Sequence, residues 1–497
     1  MKDWFQRRSP PTRFLIAVAL GAGIGLGHAP WSIVYASLIA LFLTVFAFRA
    51  IQTWKPAAWF GWAIGIGYFG ATMFWIVEPF LVEPERHAWM APFALVLFVG
   101  GLALFWSLGF GLAGLGRTRA QRLCGLVVAL GLAELLRSYA LTGFPWGLLG
   151  YIWLDTPFDQ LAAFIGPHGL GAFALMIVAL PLMFRRRRTG IALVVALLAA
   201  GFGLSLNNTN TPQRPATDPA IIRLIQPNAP QHQKWNPRFA NGFFRRQLEL
   251  TAAPSERLPN LIIWPEASVT FWLEDEPDLQ RDIIAASRGV PVVIGARRID
   301  GRRFYNSMAV LGEHGQVNAI YDKTHLVPFG EYIPFGELLS RFGVYGLAAK
   351  DGGGFSSGNT NALIDLGTLG KVLPLICYEA IFPHLSRSEI RPDWILQITN
   401  DAWFGQLAGP QQHLVQARMR AIETGLPLVR VANTGISAVI DPKGRITDQL
   451  AMGMAGHLDA RLPTAQSATP YYKTGDWPLA IVLLLGLGSL LIIRRRN

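Results

Sequence analysis

The sequence predicts a polytopic α-helical membrane domain of about eight spans joined to a water-soluble α/β layered domain. Three observations carry that reading. Of the 497 residues, 51% are hydrophobic and only 15% charged. The apolar residues crowd the first ~206 positions and the last ~20, leaving a globular composition between them. The basic residues alternate from one inter-span loop to the next.

A bilayer is crossed by about 20 apolar residues. The candidate spans are 14–28, 33–48, 58–76, 90–115, 123–136, 161–184, 191–206 and 478–493. No small-residue cleavage site clearly follows the first, and further spans come directly after it, so it is read as a span and not a signal peptide. The fifth is short and carries Glu134 and Arg137, whose spacing puts them on one helix face. Lys2, Arg7, Arg8 and Arg13 precede the first span, and "GHAPWS" after it has no Lys or Arg. Arg49 and Lys55 follow the second; the next loop, "EPFLVEPERH", is acidic with one arginine. Arg117, Arg119 and Arg122 come next, then 138–160 with no Lys or Arg, then Arg185 to Arg188, and finally Arg494 to Arg496. Positive loops stay inside, so both termini are expected in the cytoplasm and the middle of the chain outside, in a bacterial periplasm. The expected division is 1–206 membrane domain, 207–475 periplasmic catalytic domain, and 476–497 a last span with a basic tail. The net charge of +12 belongs to these loop clusters, which argues against nucleic acid as a partner.

From Ala220 to about Arg461 the pattern changes to short β-branched runs separated by turns: "AIIRLIQPN", "LIIWPEAS", "PVVIGARRI", "FYNSMAVLG", "VNAIYDKTH", "KVLPLICYE", "WILQITND", "LVRVANTG" and "ISAVIDPKG". Several are apolar nearly throughout, as strands buried on both faces are. Helical segments such as "LQRDIIAASRG" and "QQHLVQARMRAIETG" lie between some of them, which indicates a layered α/β domain with function at the strand ends. The glycine-rich "DGGGFSSGN" neither follows a clear strand nor opens a helix and reads as a flexible loop.

Three of these strands end in a polar residue that is costly to bury: Glu266 after "LIIWP", Lys323 after "AIYD" and Cys377 after "LPLI". A carboxylate can take a thiol proton, the thiolate can attack a carbonyl, and an ammonium can stabilise the resulting oxyanion. Singly, each also has an ordinary reading, as a helix cap or ion-pair partner, a solvated lysine, and a core cysteine. Topology favours chemistry for Cys377. It is expected on the oxidising side, where thiols normally pair. The chain's other cysteine, Cys124, is expected near the cytoplasmic end of the fifth span, which excludes a disulfide.

"WPEAS", "YDKTHLVPFGEYIPF" and "LICYEAIFP" resemble the three signature segments of the nitrilase (carbon–nitrogen hydrolase) superfamily. The spans together with "GFPWGLLGY", "IQPNAPQHQKW", "YNS", "ITNDAWFG" and "MRAIETGLPLVRVANTGIS" resemble its membrane branch, the apolipoprotein N-acyltransferase family. The resemblance implies an αββα sandwich and a triad of Glu266 as general base, Lys323 as oxyanion stabiliser and Cys377 as nucleophile. It also implies that Glu331 and Glu379 position the lysine and shape the site, and that the Tyr378 amide supports the oxyanion. Trp235 and Trp403 would lie around lipid entry and mobile loops, and Asn306 of "YNS" would support the site. Phosphatidylethanolamine is the implied acyl donor and a diacylglyceryl apolipoprotein the acceptor, through a cysteine thioester, without metal or other cofactor. Apolar segments such as "VTFWLED" and "FGVYGLAA" are expected to shelter that thioester and face lipid.

Four rivals are weighed against this. A membrane-bound amidase acting on a small amide would use the same triad, but needs fewer spans. A transporter would place more charge at mid-membrane than Glu134 and Arg137. A Cys–His hydrolase could draw on His325, His384 or His413, which sit in no distinctive motif. A zinc site lacks ligand spacing.

Overall fold

The computed structural model of the protein describes residues 9–211, 218–334, 354–359 and 363–496. The chain divides into two compact units, Met1–Thr211 with Thr469–Asn497, and Pro212–Ala468.

The first unit is helical. Every stretch expected to span contains a helix: α1 (Pro10–Gly25), α2 (Val34–Phe48), α3 (Trp54–Met73), α4 (Ala91–Ala113), α5 (Arg119–Tyr139), α6 (Ala162–Met183) and α7 (Arg187–Thr209), with a last helix at Trp477–Arg496. Among the described residues, four helical segments are long and apolar enough to cross a bilayer, and three more are shorter and apolar. Side chains such as Leu97, Val195 and Leu485 are 74%, 60% and 67% exposed, the uncovered apolar faces of helices built for lipid. Helix α5 is the one that carries buried charge. It starts at a Thr118–Gln121 capping box, in which each side chain satisfies an orphan backbone N–H. One turn from its other end, Arg137 Nη2 lies 2.7 Å from Glu134 Oε2, the pairing that the spacing predicts. The Trp106 indole donates to Glu134 at 2.8 Å, and Arg137 donates to the carbonyls of Phe144 and Trp146, which fastens the "GFPW" turn. Partners on every side are what allow an ion pair to sit in an apolar bundle. The last helix is tied in through Asp476, which accepts the Tyr139 and Tyr471 hydroxyls at 2.7 and 2.9 Å.

Among the described residues, the second unit has twelve strands: β1 (Ile221–Gln226), β2 (Leu261–Ile263), β3 (Val292–Asp300), β4 (Arg303–Leu311), β5 (Val317–Asp322), β6 (Ile364–Asp365), β7 (Lys371–Ile376), β8 (Trp394–Thr399), β9 (Leu428–Ala432), β10 (Ser437–Ile440), β11 (Ile446–Leu450) and β12 (Gly456–Arg461). They form two six-stranded sheets, ordered β12-β1-β2-β3-β4-β5 and β11-β10-β9-β8-β7-β6. Each has a parallel centre, β1-β2-β3 and β7-β8-β9, with antiparallel edges. A core of residues from both sheets, among them Ile222, Ile263, Met308, Ile376, Leu396 and Val431, fills the space between them. The outer face of the first sheet packs on α8 (Pro237–Ala252) and α9 (Pro277–Ser287), that of the second on α10 (Gly409–Thr424). The layers run helix, sheet, sheet, helix, which is the expected sandwich. The short edge strands β6, β11 and β12 and helix α8 are additions to what the sequence pattern predicts.

Two expectations about loops change. Residues 354–359 have no regular structure, but their backbone is fastened to the site. The amides of Phe355 and Gly358 donate to the carbonyls of Glu331 and Lys323 at 2.8 and 2.9 Å. "VTFWLED" mostly turns inward: Val269 and Leu273 are buried in the core under α8 and α9, and Phe271 packs on it. "FGVYGLAA" lies outside the described residues.

One close approach sets the position of Glu266. The turn after β2 lies across β3 at Gly295, whose carbonyl accepts the Ser268 amide at 2.8 Å. A Cβ at Gly295 would stand 2.4 Å from the Pro265 carbonyl oxygen and 2.6 Å from Glu266 Cα. Gly295→Ala is therefore expected to destabilise the protein by about 2 kcal/mol, a drop of roughly 5 °C in thermal midpoint. An unchanged midpoint in a thermal melt would show that the turn is not held by this contact.

Candidate active site

The site gathers at the carboxyl ends of β2, β5, β7 and β8. Glu266 stands three residues beyond β2, Lys323 directly follows β5, Cys377 directly follows β7, and Asn400 directly follows β8. Strand ends can present side chains this way because the backbone there leaves the ladder. Three turning points near the triad have non-glycine residues at positive φ: Ala267 (48°), Phe329 (62°) and Cys377 (50°). Such conformations persist only where the surroundings over-determine them.

Lys323 is 1% exposed, and its Nζ lies 2.9 Å from Glu331 Oε1 and 3.7 Å from Glu266 Oε1. The Asn306 amide bridges the two acids, donating to Glu266 at 2.8 Å and to Glu331 at 2.9 Å. Glu266 also accepts the Asn400 amide at 2.8 Å, and Glu331 the Val327 amide at 2.8 Å. Both carboxylates are thus acceptors throughout, as ionised groups must be. Burial by itself would depress the Lys323 ammonium, but Glu331 and then Glu266 outweigh it and hold its pKa above the usual lysine range.

Cys377 is buried at the start of a short turn, Cys377–Ile381. Burial pushes its thiol above the usual range, Glu266 adds to that, and Lys323 and Thr399 pull the other way. The resting residue is therefore a neutral thiol in the field of both Glu266 and Lys323. Glu379 accepts the Ile376 amide at 2.7 Å through Oε2. Its Oε1 takes the Tyr321 hydroxyl and the amides of Thr324 and His325 at 2.8, 2.7 and 3.0 Å. One carboxylate so fastens the lysine's strand end to the cysteine's. Burial pushes Glu379 up, while the Ile376 amide, Lys323 and the loop amides pull it back. Tyr378 is buried against His325 and Phe382, with ring centroids 5.8 and 5.1 Å apart.

The structure brings Glu266, Lys323, Glu331, Asn306, Cys377, Tyr378 and Glu379 together. Among the described residues, the cluster's hydrogen bonds and ion pairs include neither Trp235 nor Trp403. Trp235 is 38% exposed and stacks on the Arg297 guanidinium at 4.5 Å, which Trp272 covers at 4.3 Å. Trp403 closes the turn Asp401–Trp403. His413 approaches the carbonyl oxygen of Cys377 at 3.1 Å, so a backbone group and not the thiol is its neighbour there.

A family model described as apolipoprotein N-acyltransferase N-terminal domain matches residues 20–180, and one described as carbon-nitrogen hydrolase matches 222–467. The apolipoprotein N-acyltransferase of Rhodopseudomonas palustris is 38% identical over 97% of this chain and 95% of its own length. That of Sinorhizobium fredii is 36% identical over 92% and 91%. The chain belongs to the apolipoprotein N-acyltransferase family. Among solved structures, an amidase from Nesterenkonia sp. matches at 19% identity over 54% of this chain and 97% of its own, with a TM-score of 0.36. As a member of the N-acyltransferase family the chain is an acyltransferase and a membrane protein.

Sequence reasoning missed three residues of this N-acyltransferase site. Lys234 is 4% exposed and donates to the Glu266 carbonyl at 3.2 Å. Burial, opposed by Glu266, lowers its pKa to about 8. It stands beside Trp235 in "QKW", where a lysine among polar neighbours reads as solvated. Asn400, in "ITNDAWFG", holds Glu266 through a backbone amide that no sequence pattern reveals. A Cβ at Gly358 would stand 2.3 Å from the Asp322 carbonyl oxygen, so this glycine lets the 354–359 segment lie on the lysine's strand end.

Asn306→Leu removes two hydrogen bonds to charged groups, each worth about 1.5–3 kcal/mol. Losing one of these in the transition state corresponds to roughly 10–100-fold in rate. Acyl transfer by this variant is expected to fall at least tenfold with the fold intact. Wild-type kinetics would show that Lys323 and the Asn400 and Val327 amides keep the two carboxylates in place without Asn306.

Proposed function

We propose that the chain transfers an acyl chain from a phospholipid, typically phosphatidylethanolamine, to the N-terminal amine of a diacylglyceryl-cysteine on an apolipoprotein. One observation carries the reading: a neutral thiol at a strained turn shares one dry site with a carboxylate and an ammonium, in a chain whose other unit is apolar helices. Glu266 takes the Cys377 proton as the sulfur adds to the ester carbonyl carbon, and the carbonyl electrons pass to oxygen. Lys323 and the Tyr378 amide face that oxyanion. The ester C–O bond breaks, Glu266 returns the proton to the leaving glycerol oxygen, and lysophospholipid departs. The lipoprotein amine then adds to the thioester and gives a proton to Glu266; the C–S bond breaks to leave an amide, and Glu266 passes that proton to the departing Cys377 sulfur, which restores the thiol. Glu331 and Glu379 hold Lys323 and the Cys377 turn, Asn306 holds the two acids, and Trp235 and Trp403 border the lipid entrance. Residues 207–475 work on the periplasmic face of the bacterial inner membrane, with both termini cytoplasmic. The alternation of basic loops supports that orientation.

Incubation with phospholipid alone is expected to release lysophospholipid and leave a mass-shifted, hydroxylamine-sensitive acyl adduct on Cys377. Cys377→Ser should form no such thioester while inserting and folding normally, and lipoprotein acylation at the normal rate by that variant would sink the mechanism. Lys323→Ala should slow adduct formation.

Glu266→Gln separates two effects of one carboxylate. Its charge raises the thiol pKa, so the variant's Cys377 should titrate at lower pH in an iodoacetamide alkylation profile. Its acyl transfer should nevertheless slow by about 10²–10⁴-fold, because the proton acceptor is gone. A thiol midpoint that rises, or transfer at the normal rate, would refute the role given to Glu266.

A further inference from the structure

Beneath the Cys377 turn lies a buried polar chain that the reaction scheme does not use. Gln397 sits in β8, in register with Leu375 of β7 and Arg430 of β9, so it shares their face of the sheet, under α10. His413 comes down from α10, and Asp401 stands just beyond β8. Gln397, Asp401, His413 and Arg430 are each 0% exposed. Asp401 accepts the Thr399 hydroxyl at 2.9 Å and also the Arg430 guanidinium, and it lies 3.0 Å from His413 Nδ1. Gln397 Nε2 lies 3.0 Å from His413 Nε2 and 3.3 Å from the Cys377 carbonyl oxygen. An amide and a charged residue inside "WILQIT" and "LVRVA" are costly to bury without such partners.

The hydrogens can be placed. Asp401 is acceptor-only, so His413 Nδ1 carries the hydrogen between them. Burial, and then Arg430, keep the imidazole neutral. Its Nε2 then offers a lone pair and cannot donate to the Cys377 carbonyl oxygen 3.1 Å away, so the Gln397 amide is the donor between them, facing the imidazole at 3.0 Å and the carbonyl at 3.3 Å. Asp401, His413 and Gln397 thus form one directed chain ending on a single backbone oxygen.

That oxygen and the Tyr378 N–H belong to the same trans peptide unit and point in opposite directions. Whatever fixes the one aims the other, and a donor on the carbonyl makes the amide hydrogen a stronger donor. The preceding peptide is fixed as well, by the Ile376 amide on Glu379. We propose that Gln397, oriented by His413 and Asp401, is a positioning residue that aims and polarises the Tyr378 amide at the developing oxyanion. This rests on the thioester reading above, with the Tyr378 amide as oxyanion donor.

The test compares two reactions of Cys377 in the full-length, detergent-solubilised protein. Acylation by phospholipid passes through an oxyanion, whereas alkylation by iodoacetamide is a displacement at carbon and does not. Gln397→Met should lower the acylation rate about 10²-fold, the usual loss for one oxyanion donor. Its alkylation rate should stay within about threefold of wild type, since the proton acceptor is untouched. His413→Asn keeps a group that can reach Asp401 but not Gln397, and should show the same selective loss, smaller in size. Acylation and alkylation falling together, or acylation unchanged in both variants, would overturn the proposal. So would failure of both variants to fold, which would assign the chain to stability alone. A wild-type protein that forms no hydroxylamine-sensitive adduct would remove the underlying reading and the proposal with it.

Discussion

The buried ammonium of Lys323, held between Glu266 and Glu331, is the constraint on which the catalytic unit depends. Two carboxylates against one ammonium leave a net negative charge in a dry site, and such a group survives only when the remaining lone pairs are satisfied. The donors that satisfy them come from Asn306 on β4, the amide after β8 and the amide of Val327. The amide after β8 belongs to the second sheet and the acid it serves to the first. The charge cluster therefore ties the two sheets to each other alongside the apolar core, and Glu379 repeats the link through the lysine and cysteine strand ends. Breaking one partner leaves an uncompensated charge, which costs several times what the intact arrangement contributes.

Burial first, and then the same cluster, explain why the thiol is neutral at rest. A cysteine beside a lone lysine would tend to ionise, but here Lys323 is already committed to two carboxylates, and Glu266 adds its own repulsion. A resting thiolate would be exposed to oxidation before substrate arrives. A thiol that ionises only as Glu266 takes its proton couples nucleophile formation to the presence of a carbonyl. This makes the oxyanion donors and their geometry matter more than any prior activation of sulfur.

Much of this was legible in the residues. The spans and their alternating charge are long-range statistical signals, and they survive any uncertainty about local structure. Strands such as "VVIGARRID" and "WILQIT" announced themselves because both faces are covered, and Glu266, Lys323 and Cys377 stood out as polar groups at the ends of such runs. What the sequence hid were the edge strands and the partners. β6, with two residues, and the half-exposed β11 lack any apolar run. Trp235 stands out through the family resemblance and Lys234 beside it does not, though the lysine is the one that touches the Glu266 turn. His413 is one of three histidines that a Cys–His reading could use, but its contact with the turn is to a carbonyl, which composition cannot foretell. Backbone donors such as the Asn400 amide leave no trace in residue identity at all.

In the proposed mechanism one carboxylate acts as base and then acid in each half-reaction, and the geometry leaves room for it. A carboxylate offers about four acceptor directions. In Glu266 one is taken by Asn306 on Oε1 and one by the Asn400 amide on Oε2, while Lys323 stands farther off at 3.7 Å. Both oxygens are anchored, yet each keeps a direction in which a proton can arrive. Glu331, by contrast, meets Lys323 and Asn306 on one oxygen and the Val327 amide on the other. The closer pairing with Lys323 fits Glu331 to holding the ammonium, and the looser one fits Glu266 to the proton transfer proposed for it. Two chemically identical side chains are assigned different work by less than an ångström of separation from the same cation.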